Sequence, residues 1–272
     1  MLVRLITHTT GVEGTEYYSK TLDEIIVAKA RLSSSREIND KFKEPYKLLR
    51  YCITNGHWSI FDMCNMTFEV TTSRDIGRQI IRHSSIKPQE FSQRYAVVNT
   101  FEPLELRLES VKNRQSSEEV ADPLIDTSYM GQKSDDPDMM YPAVATHAPA
   151  SFIAHNSIST AFEAYELLIK NGISKETARF ILPGLATTTF CLNGSIRSWI
   201  TFLNLRLEKN TQKEHREIAK KCAEVFIKYL PETSKALFNF EHSDIVHILD
   251  QVCLHKYGVR NEILSKKLIE EN

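Results

Sequence analysis

The sequence of 272 residues predicts an α+β fold: an early mixed or antiparallel sheet flanked by helices, followed by a helical C-terminal half. Three observations predict it. Met66, Phe68 and Val70 alternate with Thr67, Glu69 and Thr71, the period of two that marks a half-buried strand. From Ser157 onward apolar residues recur at helical spacing in successive runs. Strand signals therefore come early and helix signals late, with no internal repeat and no linker, so residues 1–272 read as a single domain.

Taken in order, Leu22, Ile25, Ile26 and Ala28 among charged neighbours give an amphipathic helix over 20–31. Leu48, Leu49, Cys52 and Ile53 face inward on a second helix over 44–54, which ends near Gly56. The strand through Met66 and Val70 comes next. Ser73 to Ile81 reads as a short helix with Ser73 as its N-cap. Tyr95 to Val98 reads as extended chain, and Pro103 to Leu108 as a strand or a loop edge, between which the pattern does not decide. Residues 112–150 lack periodicity and carry turn signals at Ser116, Ser117, Asp122-Pro123, Ser134-Asp135-Asp136-Pro137 and Pro142. They form an expected long surface excursion with room for one short helix. Helices follow: from Ser157, with Ile158, Ala161, Phe162, Tyr165 and Leu168 on one face; from Ser174 to about Pro183; over about 194–207; from Thr211, with Ile218, Cys222, Val225, Phe226 and Tyr229 inward; and over Ile245 to Val252.

Lys plus Arg number 34 against 35 acids, so no global field exists to hold nucleic acid, and cationic groups that matter must be local. Five dispersed cysteines without a CxxC pair point to reduced thiols in a cytoplasmic setting. None adjoins a His or Arg in sequence, so nothing activates a thiolate, and no metal site is expected. No apolar run approaches the ~18 residues of a membrane span, and the N-terminus lacks a signal pattern.

The densest chemistry lies between Arg82 and Tyr95. Gln79, Arg82 and His83 are three and four apart and share one helix face, which places an amide, a guanidinium and an imidazole together. Glu90, Ser92 and Arg94 alternate and point the same way if the segment is extended. Arginine forks match phosphates, so this polar, cationic turn suits an anionic ligand. Further on, Arg197 and Thr201 stand one turn apart on a helix that Arg206 ends. Ile196, Trp199, Ile200 and Leu203 make much of that helix buried, and an Arg beside such a core is rarely left unpaired. His57 and Ser59 follow Gly56; His57 reads either as a helix C-cap or as a site residue.

The segment Arg82-His83-Ser84-Ser85-Ile86-Lys87-Pro88-Gln89-Glu90-Phe91-Ser92-Gln93-Arg94-Tyr95 resembles the signature of the flavin-dependent thymidylate synthases. That signature runs Arg-His-Arg, two residues, Ser, one residue, Asn-Glu, one residue, Ser, one residue, Arg-Tyr. Arg82, His83, Glu90, Ser92, Arg94 and Tyr95 match in register, while Ser84, Lys87 and Gln89 replace the second Arg, the first Ser and the Asn. Gly56 to Asp62, Arg179 to Pro183 and Ser198 to Arg206 resemble further blocks of the family in the same order. Asp62-Met63 stands for the family's Glu-His, and Asn210 for a His four residues past Arg206.

The resemblance implies reductive methylation of dUMP to dTMP, with 5,10-methylenetetrahydrofolate as carbon donor, FAD as hydride carrier and NADPH as reductant. It implies a cytoplasmic homotetramer with intersubunit active sites, small-molecule substrates and neither nucleic-acid nor membrane partners. It assigns Gln79, Ile80, Ile81, Arg82, Glu90, Phe91, Ser92, Gln93, Arg94, Arg179 and Arg206 to dUMP. It assigns Ser59, Arg82, His83, Ser84, Gln89, Glu90, Ser195, Ile196, Arg197 and Thr201 to FAD, and His57 to the folate or nicotinamide side. Arg206 is the expected catalytic group, because a guanidinium at the uracil N3 and carbonyl edge stabilises charge that activates C5. The alternatives are altered one-carbon chemistry on the same scaffold, such as hydroxymethylation or another pyrimidine substrate, and a non-catalytic nucleotide- or flavin-binding homologue.

Overall fold

The computed structural model describes residues 1–32, 42–111, 117–127 and 147–238. The helix expected over Ile245 to Val252, and residues 112–116 and 128–146 of the expected excursion, lie outside them. The strands are β1 (Leu2–His8), β2 (Asn65–Ser73), β3 (Lys87–Glu90), β4 (Arg107–Glu109), β5 (Ser117–Val120), β6 (Leu124–Asp126), β7 (His147–Pro149) and β8 (Thr187–Ser195). The helices are α1 (Leu22–Arg31), α2 (Pro45–Thr54), α3 (Arg74–Ile81), α4 (Ala150–Lys170), α5 (Lys175–Ala178), α6 (Ile196–Arg206), α7 (Lys213–Tyr229) and α8 (Pro231–Phe238). The described residues fall into two compact units, one within 1–72, 76–90 and 188–238, the other within 73–75 and 91–187.

The first unit is built on a four-stranded sheet of order β1-β2-β8-β3. β1 runs antiparallel to β2, with Leu2 opposite Thr71 and His8 opposite Met66. β3 runs antiparallel to β8, with Lys87 opposite Asn193 and Glu90 opposite Phe190. Side-chain bonds tie β2 to β8, from Thr71 to Thr189 (2.9 Å) and from Asn193 to Thr67 (2.9 Å). The alternation read from the sequence holds on β2, where Met66, Phe68 and Val70 are wholly buried. Trp199 of α6 seats on that face. Its ring lies 4.5 Å from Phe68, and its indole N–H donates to the Met66 carbonyl at 3.0 Å. Burial of such side chains stabilises by about 1.5–3 kcal/mol each, and the indole bond avoids an unpaired buried donor.

The helix ends are set by sequence chemistry. Thr21 and Glu24 form a capping box at α1: the Glu24 N–H donates to Thr21 Oγ1, and the Thr21 N–H to Glu24 Oε2. α2 stops where Gly56 takes a positive φ of 70°. α8 has a remote cap. Asp23, buried on α1, accepts from the Glu232 N–H (2.8 Å), the Thr233 N–H (3.0 Å) and the Thr233 hydroxyl (2.5 Å).

In the second unit α4 packs Ile158, Phe162 and Tyr165 against Val98, Ala178, Leu182 and Ala186. The Val98 N–H donates to the Tyr165 hydroxyl at 3.4 Å. Two short ladders, β4 with β5 and β6 with β7, occupy described parts of the stretch from Arg107 to Pro149.

Four expectations are corrected. β8 is a strand in the C-terminal half, where the sequence was read as helical only; Thr188, Phe190 and Leu192 do alternate inward, but the run is threonine-rich and leads straight into α6. Tyr95 to Val98 is no strand, because the Ser92 carbonyl accepts from the N–H groups of Tyr95 and Ala96 and closes a turn. Glu90, Ser92 and Arg94 therefore do not share an extended face: Glu90 ends β3, and the Arg94 N–H donates to Ser92 Oγ at 3.4 Å within the turn. α4 starts at Ala150 rather than Ser157, because Asp122 accepts from the Ser151 N–H (2.7 Å) and hydroxyl (2.6 Å), a cap supplied from far upstream.

Burial raises the Asp23 carboxyl to about 6, against the hydrogen bonds from Thr233 and Glu232, which favour the anion. The folded chain thus holds the Asp23 proton more tightly than the unfolded one. This contribution to stability is complete below the ordinary value of 3.8 and is lost as pH rises through about 6. The Asp23→Asn variant, which keeps an acceptor without the charge, is expected to show a flatter dependence of unfolding free energy on pH between 4 and 7 than the wild type. Urea titrations at stepped pH measure the difference.

Candidate functional site

Within the first unit, α3, the turn after it, α6 and the start of α7 bring together Gln79, Arg82, His83, Arg206 and His215. α3 can lie low on the sheet because of Gly77. A Cβ there would fall 2.6 Å from Phe190 Cε2 and Cζ, and Phe190 is itself buried on β8. Phe202 of α6 separates two imidazoles, its ring 5.5 Å from His83 and 5.8 Å from His215. His83 Nδ1 lies 3.1 Å from the Ser85 hydroxyl.

Among the described residues no acid pairs with the arginines of this cluster. Arg82 is exposed and makes no hydrogen bond or ion pair with a described residue. Arg206 is half-buried, and its Nε–H has no partner among the described residues. Burial, and then the Arg82 charge, hold the Arg206 guanidinium below its ordinary value. Burial, with the Arg206 charge, likewise lowers His83. His215 is pushed down to about 4 by burial, with the charges of Arg206 and His83 adding to it. Both rings are therefore neutral near pH 7, and the local field is that of the arginines. A buried donor without a partner costs about 1–3 kcal/mol, and an anion or carbonyl ligand removes that cost.

A second group in the same unit lies around the start of α6. Ser195 caps the helix, accepting from the Ser198 N–H at 3.2 Å while donating to Asp62 Oδ1 at 2.8 Å. The other Asp62 oxygen accepts from Arg197 at 3.1 Å. The shorter carboxylate at position 62 thus still reaches both side chains. Trp58, Arg197, Ile200, Thr201 and Asn204 line a pocket of about 200 Å³ beside them. Ser59 is exposed, and His57 stacks on Tyr51 with ring centroids 5.8 Å apart. Ser84 and Gln89 are exposed, and Glu90 accepts from the Thr188 hydroxyl at 2.8 Å. Ile80 and Ile196 sit in the core, so only their backbones can meet a ligand, and the Ile196 N–H already donates to the Cys64 carbonyl. Ile81 is exposed.

The remaining candidates belong to the second unit. Arg94 pairs with Glu176 at 2.9 Å, and Arg179 Nε donates to the Glu176 carbonyl at 3.2 Å. Both ends of the pair are more than half exposed, so it holds Arg94 only weakly. Ser92 is half-buried, Phe91 is exposed, and Gln93 is buried with its Nε2 unpartnered among the described residues.

His215 and Gln212 are the members of the first cluster that sequence reasoning missed. Gln79 Nε2 donates to Gln212 Oε1 at 2.6 Å, and Gln79 Oε1 lies 3.2 Å from His215 Nδ1. The signal was a lone His on the apolar stripe of α7, three residues before Ile218 and one turn after Thr211.

An α+β unit whose two clustered arginines pair with no acid among the described residues fits an enzyme of anionic nucleotides. Residues 16–232 match the family described as thymidylate synthase complementing protein, and the chain belongs to that family, the flavin-dependent thymidylate synthases. It is 39% identical over 219 residues to a probable flavin-dependent thymidylate synthase of Paramecium bursaria Chlorella virus 1, covering 80% of this chain and 91% of that one. It is 39% identical over 213 residues to the flavin-dependent thymidylate synthase of Synechocystis, covering 78% and 88%. In fold it is similar to a UMP/dUMP methylase from Streptomyces cacaoi solved with 5-Br dUMP, with a TM-score of 0.63, 24% identity and coverage of 88% and 95%.

Gly77→Ala is expected to drive the buried Phe190 ring out of place and tilt α3. Overpacking of this kind costs about 1–3 kcal/mol, more than the ~1 kcal/mol that Ala gains over Gly in a helix. Chemical denaturation should show the net loss.

Proposed function

We propose that this protein catalyses the reductive methylation of dUMP to dTMP, using FAD, NADPH and 5,10-methylenetetrahydrofolate. The observation that carries this reading is the Arg206 guanidinium, half-buried, with its Nε–H unpartnered among the described residues, and next to Arg82. A uracil ring offers the carbonyl and N3 edge that such a donor lacks, and a nucleotide phosphate offers the charge that Arg82 lacks. Relatives that are flavin-dependent thymidylate synthases support the same substrate class.

The donor set suits a flavin dinucleotide. Arg197 gives one N–H to Asp62 and keeps further donors at the rim of the pocket lined by Trp58 and Ile200, an apolar wall beside a cationic edge. Ser59, Ser84, Gln89, Ser195 and Thr201 would add polar contacts, and Arg82 and His83 would border both ligands. Bound reduced flavin would supply the hydride.

The chain's own work is electrostatic. Arg206 would hold negative charge on the uracil edge and raise the nucleophilicity of C5, in a place where desolvation strengthens the interaction. Arg82 would fix the nucleotide, and the neutral His83 ring would pack without repelling Arg206. The family resemblance adds Glu90, Ser92, Arg94 and Arg179 as nucleotide contacts, and His57 on the folate side. Cys52, Cys64 and Cys222 are poor candidate nucleophiles: all three are buried, and burial pushes the Cys64 thiol up to about 11. We infer a cytoplasmic homotetramer, as the family resemblance implies.

Purified protein reconstituted with FAD is expected to show a flavin spectrum that NADPH bleaches, and to convert dUMP to dTMP by mass. Neither bleaching nor product would sink the reading, and a hydroxymethylated product would select the altered chemistry. Arg206→Ala is expected to keep its flavin but lose turnover roughly a hundredfold, about 3 kcal/mol. A folded, flavin-loaded variant with near wild-type turnover would remove Arg206 from the uracil edge. Light scattering should return four times the 31.3 kDa chain mass.

A further inference from the structure

Behind Gln79 the hydrogen bonds form a directed relay. Gln212 Nε2 lies 3.0 Å from Glu214 Oε2. An ionised carboxylate only accepts, so Gln212 turns its NH₂ to Glu214 and its oxygen to Gln79. That oxygen is 2.6 Å from Gln79 Nε2, which must therefore donate. Gln79 Oε1 is left facing His215 Nδ1 at 3.2 Å. Two lone pairs cannot make that contact, so His215 carries its proton on Nδ1 and a bare lone pair on Nε2.

His215 is fully buried, and its Nε2 has no partner among the described residues. An unpaired buried acceptor is destabilising, and an aliphatic side chain would avoid that cost. What the imidazole does that an aliphatic residue cannot is to donate to Gln79. With its oxygen held by His215 and one amide hydrogen by Gln212, Gln79 has its second N–H left as the group to offer beside Arg82 and Arg206.

We propose that His215 is a positioning residue that locks the carboxamide of Gln79 so that it presents N–H, and not C=O, to a nucleotide oxygen. This rests on the reading that Gln79 meets the pyrimidine nucleotide. His215 thereby sets the selectivity of this corner of the site for acceptor groups, carbonyl or phosphate.

Three measurements on the full-length, flavin-loaded protein decide it. First, ¹⁵N-histidine NMR of the wild type should show Nδ1 protonated and Nε2 bare; a proton on Nε2 overturns the proposal. Second, dUMP titration by calorimetry should give a Kd raised about tenfold in His215→Leu, the scale of one lost hydrogen bond, with turnover at saturating dUMP within about threefold of wild type. Third, His215→Asn, whose amide N–H stands where Nδ1–H does, should recover affinity to within about threefold of wild type. Wild-type dUMP affinity in His215→Leu, or an Asn variant no better than Leu while folded, overturns the proposal alone. A wild-type protein that does not bind dUMP overturns the functional reading and the proposal with it.

Discussion

The structure depends on the close packing of one strand. β8 lies between β2 and β3 and sets both clusters described above. Near its start, Phe190 and Thr188 take α3 at a distance that only glycine at position 77 permits, which fixes the height of Gln79 and Arg82 over the sheet. At its end, Ser195 turns the chain into α6 and ties that turn to Asp62. A Cβ at Gly194 would meet Trp199 Nε1 and Ser198 Cβ at 3.2 Å, so the strand-to-helix turn is closely fitted too, though less tightly than the α3 contact. Arg197 and Arg206 lie on one rigid helix whose buried face is fixed by Trp199 and Phe202. Polar groups on regular elements seated this tightly are held in place before any ligand arrives.

Preorganisation has an electrostatic counterpart. Arg82 and Arg206 repel, and burial disfavours the charge on Arg206 further. The two nearby imidazoles shed their protons instead of adding charge. Free energy that a ligand-free fold would otherwise gain by pairing these groups is left unclaimed until an anion arrives. Functional sites of this kind are commonly the least stable parts of a fold.

Much of this was legible in the sequence, and the exceptions share a cause. β2, α1, α2 and α7 follow their apolar periods because each buries one face against a core. The Arg82 to Tyr95 segment could be located from composition, yet its shape could not: a turn closed by the Ser92 carbonyl leaves no periodic trace. The start of α4 was missed because its cap, Asp122, is distant in sequence. β8 was missed because three consecutive threonines, Thr187 to Thr189, hide the apolar alternation that Phe190 and Leu192 continue. His215 was missed because its partner, Gln79, belongs to another element, and a lone His on an apolar stripe reads first as core.

The sheet ends abruptly at both margins. β3 is short and wholly exposed and contains Pro88, which has no N–H to offer a further strand. β1, at the opposite margin, breaks register between Leu5 and Thr7. Margins blunted in this way resist templating by a foreign strand, which protects the chain from edge-to-edge aggregation. The same feature restricts how copies of the chain can associate. Strand addition across β3 is disfavoured, so association through that margin falls to side-chain surfaces, whose fit can be specific where a bare backbone ladder would accept almost any sequence.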